Sequence, residues 1–457
     1  MKEFETPLTK VLLAGLRRDS RGQRNSLGLV QAKDVRAISD VLEYPGAFPR
    51  LFTATALDWP FPTIMLASHG LDTVFVGMTT GLYQAPLSGG LVSKVTTTAA
   101  SHWELLDFHK YMLFNNGQTV YARDPNTGAI TAVSSTVIPA GFSMINFRGQ
   151  IVMGNTVEGR NWLKWGNIGE AEFTIDGRST AGKMPLPFSG TIKRLLYLNS
   201  GVDMSGKDKG SIVVYADTGI AITKAYSDPI ATLGFKMVNT QYGIPNWGCV
   251  GGHDDEHLFI DSRGDLHRLT VKGDELLGYK EFLAPLIPYD PRIIYDAYDS
   301  QYYIMTENTG YVFGKQGLCE LNQTFSAGCN SNGIFSVTGD APSAGVVELT
   351  TDVFDMEIRA RKQITTLNFG VETDGLVSAA IQTRYDYKSS YITSPWVPLN
   401  NKGVCFPRVS GTDFKIMLKA TGFTFFQLDR ASMRWKLEDK TGIRGTYGNT
   451  KATAGAD

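Results

Sequence analysis

Cysteine is scarce. Cys249, Cys319, Cys329 and Cys405 are the four thiols in 457 residues, and no two form a CxxC pair. This spacing argues against a disulfide-built scaffold or a cysteine zinc cluster and fits free thiols in a reducing cytoplasm. There is no apolar run long enough to cross a bilayer, and the opening MKEFETPLTK lacks a signal-peptide core. The usual chemical signatures are also missing: no GxxxxGK[ST], no GxGxxG opening a helix, no HExxH, no GxSxG and no EF-hand loop. Charge of one sign is lacking as well. The net charge is −1, so no global field recommends nucleic acid or an anionic membrane as partner.

What the chain does have is glycine, 48 residues of it, and 11% aromatics. Both lean towards strands joined by tight turns. One pattern recurs: an apolar run, a polar turn and a second apolar run. It reads FVGMTTGLY at Phe75–Tyr83, YMLFNNGQTVY at Tyr111–Tyr121 and SIVVYADTGIAI at Ser211–Ile222. It returns as HLFIDSRGDLHRL at His257–Leu269 and YYIMTENTGYVF at Tyr302–Phe313. The turn glycines Gly81, Gly117, Gly219, Gly264 and Gly310 are spaced by 36, 102, 45 and 46 residues. The long gap holds a sixth unit, Ile151–Trp165. Glycine at such turns supplies the positive φ of a tight hairpin. Hairpins every forty-odd residues predict radially repeated four-stranded blades.

The expectation is therefore an all-β chain. A roughly six-bladed β-propeller spans residues 55–335, and a C-terminal β-sandwich-like domain spans 336–445. Residues 1–54 are expected to form a short N-terminal arm and helix, and 446–457 a flexible tail. Within the arm, Leu12–Asn25 reads as extended and basic. Val35, Ile38, Val41 and Leu42 have helical spacing over Gln31–Glu43, ended by Tyr44-Pro45-Gly46. In the C-terminal part, Phe414, Ile416 and Leu418 alternate with Lys415, Met417 and Lys419. Ala431, Met433, Trp435 and Leu437 alternate with Ser432, Arg434 and Lys436. Period-two alternation of this length means sheets with one buried face.

Four groups of residues invite a chemical reading. His253-Asp254-Asp255-Glu256-His257 has metal-ligand residue types, but on a loop running into a strand the two imidazoles need not converge. Asp217, Asp261 and Asp265 resemble the acid–base carboxylates of propeller glycosidases, yet hairpin turns favour Asp without any catalysis. Trp162 and Trp165, read as sharing a strand face, would stack a sugar or a base if exposed, and pack between blades if buried. Arg17, Arg18, Arg21 and Arg24 would meet phosphates or simply be solvated. The insertion Asn199–Gly210 reads as an exposed loop, and Asn322-Gln323-Thr324 is a glycosylation sequon in form alone. No catalytic, cofactor or metal residue is assigned.

Several segments resemble the tail hub or nozzle proteins of short-tailed bacteriophages, the family that includes packaged-DNA stabilisation proteins. They are Trp162–Thr174, Gly177–Phe188 and Ile212–Ile222, followed by Thr351–Asp355, Lys362–Leu367, Ser394–Leu399, Asn401–Phe414 and Asp439–Gly445. The resemblance covers about residues 150–445 and is one of pattern, without a catalytic motif. It implies a non-enzymatic virion protein of a podovirus tail, assembled in the host cytoplasm and needing no cofactor. The implied partners are further copies of the chain in a ring, usually a hexamer, with tail tube or adaptor proteins and tail fibres or spikes. Genomic DNA would pass during ejection without sequence-specific binding. The alternative is a β-propeller glycoside hydrolase or a carbohydrate-binding adhesin.

Overall fold

The computed structural model describes residues 3–18, 28–38, 40–46, 50–52, 63–66, 73–86, 93–96, 100, 102–176, 179–199, 210–225, 233–306, 308–322, 329–330, 333–335 and 345–438. The chain divides into two units. One comprises Ala47–Gly314 and Leu321–Ala341, and the other Met1–Gly46, Lys315–Glu320 and Pro342–Asp457.

The first unit is a β-propeller made of small antiparallel sheets that follow one another along the chain. The first sheet holds Thr63–Leu66, Thr73–Met78, Gly81–Pro86 and Ser93–Thr96. The second holds Glu104–Phe108, Tyr111–Asn115, Val120–Arg123 and Ile130–Ala132. Gly141–Phe147, Gln150–Thr156, Gly159–Trp165 and Gly182–Pro185 make the third. Ile192–Leu198, Ser211–Ala216, Ile220–Ala225 and Leu233–Asn239 make the fourth. The fifth has Val250–His253, Glu256–Ile260, Leu266–Thr270 and Gly273–Gly278. In the sixth, Arg292–Asp296, Gln301–Met305 and Gly310–Phe313 pair in succession.

Every hairpin read from the sequence forms the second and third strands of its sheet. The second strands are the most buried: Ser211–Ala216 and Gln301–Met305 are buried at every position. One further sheet lies outside the hairpin rhythm. Arg50–Phe52, from before the first hairpin, pairs with Gly333–Phe335 from beyond the last, and Gly333–Phe335 pairs with Cys329–Asn330. This pairing joins the two ends of the unit in one sheet.

The turn glycines divide into two kinds. Gly81, Gly117 and Gly264 have positive φ, as a tight hairpin requires. Gly219 and Gly310 do not; at Gly219 a Cβ would lie 2.9 Å from Asn239 O and 3.0 Å from the Phe188 ring, so that turn needs glycine for space.

Apolar clusters bind neighbouring sheets. Phe75 and Leu82 of the first sheet pack on Trp103, Phe114 and Tyr121 of the second. Phe108, Leu113 and Val120 pack on Met144, Ile151 and Met153 of the third. Phe147, Val152, Leu163 and Trp165 pack on Ile192, Leu195, Ile212 and Val214 of the fourth. Each such side chain contributes about 1.5–3 kcal/mol on burial, so the blades are held to one another by the same term that holds each together.

The second unit is a β-sandwich-like domain that gathers both ends of the chain. Phe426–Leu437 pairs along its length with Lys362–Thr373, from Thr373↔Phe426 to Lys362↔Leu437. Val41–Glu43 and Glu3–Pro7 also pair with Phe426–Leu437. The other sheet runs through Leu29–Lys33, Gly345–Thr351, Asp413–Phe423 and Leu376–Arg384. The expected alternation is realised: Phe414, Ile416 and Leu418 are buried on one strand, and Ala431, Met433 and Trp435 on another. The short helix Thr9–Leu13 touches Phe426–Leu437 and Gly345–Thr351, one strand of each sheet, and buries Val11, Leu12 and Leu13.

Two expectations are corrected here. The helix over Gln31–Glu43 is instead three strands, Leu29–Lys33, Arg36–Ile38 and Val41–Glu43. Asp34 at φ 54° breaks the segment, and pairing with Gly345–Thr351 and Phe426–Leu437 overrides the local spacing. Residues 1–46 are also not a separate arm, because they belong to the same unit as 342–457. The tail beyond residue 438 and most of the insertion at 199–210 lie outside the described residues.

Candidate functional site

The first strands of the second to sixth sheets lie beside one another in succession. Where they converge, residues from five sheets build one polar cluster. Its centre is Glu104, at the start of Glu104–Phe108. Oε1 accepts from Ser143 Oγ at 2.7 Å and from the Trp247 indole Nε1 at 2.7 Å. Oε2 accepts from the Met144 amide at 2.7 Å and from Asn115 Nδ2 at 3.4 Å. Ser143 Oγ in turn accepts from the Leu195 amide at 3.0 Å. Charge-assisted bonds of this kind are the stronger class, and here they tie the second, third and fourth sheets to the turn that opens the fifth.

That turn is Trp247–Cys249, capped by Asn246, whose Oδ1 accepts from the Cys249 amide at 3.0 Å. Two guanidiniums lie over the Trp247 ring, Arg194 at 4.0 Å and Arg292 at 5.3 Å from its centroid. Arg194 donates to the carbonyls of Trp247, at 3.3 Å, and Val250. Burial pulls both guanidiniums down to about 10, which Glu104 opposes at Arg194 and the neighbouring Arg194 charge reinforces at Arg292. The His102 ring lies 5.3 Å from Trp247, and its Nε2 is 2.6 Å from Phe142 O. Burial holds its pKa below the ordinary value, leaving the imidazole neutral at pH 7.

A cavity of about 100 Å³ adjoins the cluster, lined by His102, Phe142, Asn246, Trp247, Gly248, Asp290 and Arg292. Asp290 is exposed at its rim and accepts from Asn246 Nδ2 at 3.0 Å. The arrangement can bind a small polar group. It shows no nucleophile paired with a base. Cys249 behind it is buried, and burial pushes its thiol up to about 12. None of these residues stood out in the sequence, because each sheet supplies one or two of them. The signal available was a charged or polar residue at the start of a first strand: His102-Trp103-Glu104, Arg194 and Arg292.

A second cluster lies inside the fifth sheet. His267 Nδ1 is 3.1 Å from Asp274 Oδ1, and its Nε2 is 3.5 Å from Asp261 Oδ2. Tyr242 donates to Asp274, and Phe259 stacks on the imidazole with centroids 4.8 Å apart. Burial works against the charged imidazole, but the Asp261 and Asp274 carboxylates outweigh it and raise the pKa to about 9.

The sequence candidates are placed as follows. Asp261 is fully buried and accepts from the Arg263 and Asp265 amides at 2.9 Å each, which are turn bonds. Asp217 accepts from the Thr191 amide at 2.8 Å. His257 is buried between Tyr215 OH at 3.0 Å and Tyr197 O at 2.8 Å, and burial lowers its pKa to about 4. His253 lies against the Tyr295 ring instead, and among the described residues no group of three or more His, Cys, Asp or Glu gathers as for a metal. The shared face proposed for Trp162 and Trp165 is corrected, because three residues along a strand place them on opposite faces. Trp165 is buried and donates to Thr180 O at 3.1 Å, while Trp162 is half-buried beneath the Lys183 ammonium. Arg17 pairs with Asp352 at 2.9 Å. Arg21 and Arg24 lie outside the described residues. No described helix is long and apolar enough to cross a membrane.

The sequence matches no family model and no curated protein. Among solved structures, it is similar to a quinoprotein alcohol dehydrogenase-like protein of Bacteroides thetaiotaomicron at 13% identity, over 57% of this chain and 65% of that one, with a TM-score of 0.34. It is similar to the Pan2 WD40 domain of Neurospora crassa at 10% identity, over 58% of this chain and 79% of that one, with a TM-score of 0.37. Hsv2p of Kluyveromyces lactis aligns at 11% identity, over 65% of this chain and 99% of that one, with a TM-score of 0.34. The chain thus spans slightly under two thirds of the first of these. Such loose likenesses add nothing to the sheets themselves.

Proposed function

We propose that this chain is a structural and docking protein of a short bacteriophage tail, a hub or nozzle subunit that acts by assembly. The observation that carries the scaffold part of this reading is how the propeller uses its polar side chains. Glu104, Asp217, Asp261 and His257 all bond to backbone or to neighbouring blades, so they rigidify a frame. The tail assignment rests on the resemblance of residues 150–445 to that family. In this reading the chain forms a ring, probes the tail tube on one side and receives fibres or spikes on the other. In this reading the DNA path runs through the ring, between copies of the chain.

The test is electron microscopy of the purified chain alone and mixed with tail tubes. Rings that cap tubes support the reading. A monodisperse monomer that never joins a tube overturns it.

One observation favours a second reading, a carbohydrate-binding propeller. Trp162 keeps part of its ring exposed beside Lys183, an amphipathic pairing suited to a sugar face. Binding on a glycan array that Trp162→Ala abolishes would select it.

A further inference from the structure

We propose that copies of this chain join head to tail, the aromatic and basic edge of the sandwich in one copy seating on an acidic loop of the propeller in the next. The proposal rests on the assembly part of the reading above and names the two surfaces. The first follows the strand Leu376–Arg384. Tyr385, Tyr387, Ile392 and Trp396 are exposed there by 47%, 71%, 62% and 42%. The loop that carries the tyrosines is held in place: Thr412 Oγ1 donates to Tyr385 O at 2.7 Å, and the Lys388 and Ser389 amides donate to Asp386 at 2.8 and 2.9 Å. Lys388 lies over the Tyr387 ring and Lys415 over the Tyr391 ring. Arg384 is paired with Asp413 and Arg361 with Glu438, but among the described residues Lys388 and Lys415 have no carboxylate partner. The second surface is the loop 167–176. Ile168 and Ile175 are exposed by 57% and 52%, and the exposed Glu170 and Glu172 between them have no cation partner among the described residues. Buried Phe173 anchors this loop beside Phe108 and Met144, and Asn167 Oδ1 accepts from the Thr180 and Ala181 amides at 2.9 and 3.0 Å. Val271 and Leu276 make a comparable exposed pair, but there Asp274 is taken by His267 and Glu275 by Arg268. Apolar side chains with open acids between them complement aromatic rings with open lysines. The rings supply contact area, and the charges set orientation and reject like pairings. A contact between two different patches is head-to-tail, and it closes into a ring or runs on as a filament.

Sedimentation of the full-length chain over a range of concentrations tests this. The wild type is expected to self-associate, and less so as salt is raised. Lys388→Glu with Lys415→Glu, and separately Glu170→Lys with Glu172→Lys, are each expected to weaken association about tenfold or more. Mixing the two doubly substituted proteins is expected to restore it, because each keeps intact the patch that the other has lost. Tyr387→Ser, at the most exposed of the rings, is expected to weaken association and leave the thermal midpoint unchanged. A wild type that stays monomeric, or charge variants that associate as the wild type does, would overturn the proposal. Undiminished association of Tyr387→Ser would overturn it whether or not the charge variants fold. Charge variants that still form rings on tail tubes sink this contact and leave the tail assignment standing. Charge-dependent association without any binding to tubes does the reverse.

Discussion

At the scale of single residues, His267 shows how a buried charge becomes a pH-dependent staple. Its folded pKa of about 9 lies above the ordinary histidine value because Asp261 and Asp274 flank it. A raised pKa means that the charged form is preferred in the folded state. The stabilisation is therefore complete below about pH 6.5, falls as the pH rises, and is gone above about pH 9. Asp261 has the opposite sign. Burial opposes its charge, but bonds from His267 and the Asp265 and Arg263 amides hold it at about 2, so its contribution is lost only as the pH falls towards that value. His267→Gln is expected to lose about 2 kcal/mol at pH 6 and little at pH 10. Urea denaturation of both proteins across that range checks this. A pH-independent difference would mean that packing on Phe259, not charge, is what the histidine supplies.

Within and between strands, Gly77 and Glu104 carry the sharpest consequences. A Cβ at Gly77 would lie 2.3 Å from the Trp103 ring, whose indole donates to Met78 O at 2.9 Å. The ring is fully enclosed and cannot retreat, so Gly77→Ala is expected to cost about 2–4 kcal/mol by overpacking. A fall in the denaturation midpoint that Trp103→Phe partly restores would trace the loss to this contact. Glu104→Ala leaves the Ser143, Met144 and Trp247 donors without their acceptor. Its expected cost is about 3 kcal/mol, with Glu104→Gln losing less because its carbonyl oxygen still accepts two of them. Equal denaturation curves for Glu104→Ala and wild type would show the cluster to be dispensable.

These two sites also mark how much the sequence tells. The hairpins were legible because strand, turn and strand are contiguous, and the turn residues announce themselves over nine to fifteen positions. The sandwich strands were legible where alternation runs long, as in Asp413–Phe423 and Phe426–Leu437. Leu29–Lys33 and Val41–Glu43 were misread because they are short, and the partners that make them strands lie some three to four hundred residues away. Glu104 was invisible for a related reason. Its meaning comes from Ser143 and Trp247, and no local pattern joins those three.

The whole molecule is organised by its chain ends. The propeller interrupts the sandwich unit, whose first strand is completed only when the last is made. Phe4 stacks on Trp435 with centroids 4.7 Å apart, and the Trp435 indole donates to Thr6 Oγ1 at 3.0 Å. Glu3–Pro7 pairs in register with Ser432–Lys436, from Pro7↔Ser432 to Glu3↔Lys436. During synthesis the propeller can close as soon as Gly333–Phe335 meets Arg50–Phe52, while the sandwich waits for the C-terminal strand. The two ends are therefore expected to be energetically coupled across the length of the chain. Phe4→Ala, Trp435→Ala and the double variant form a cycle that measures this. Trp435→Ala alone is expected to cost about 3 kcal/mol or more, and the coupling to reach about 1 kcal/mol, the size of a stacked aromatic pair. Strict additivity would mean that the Phe4–Trp435 stack adds nothing beyond the burial of each ring.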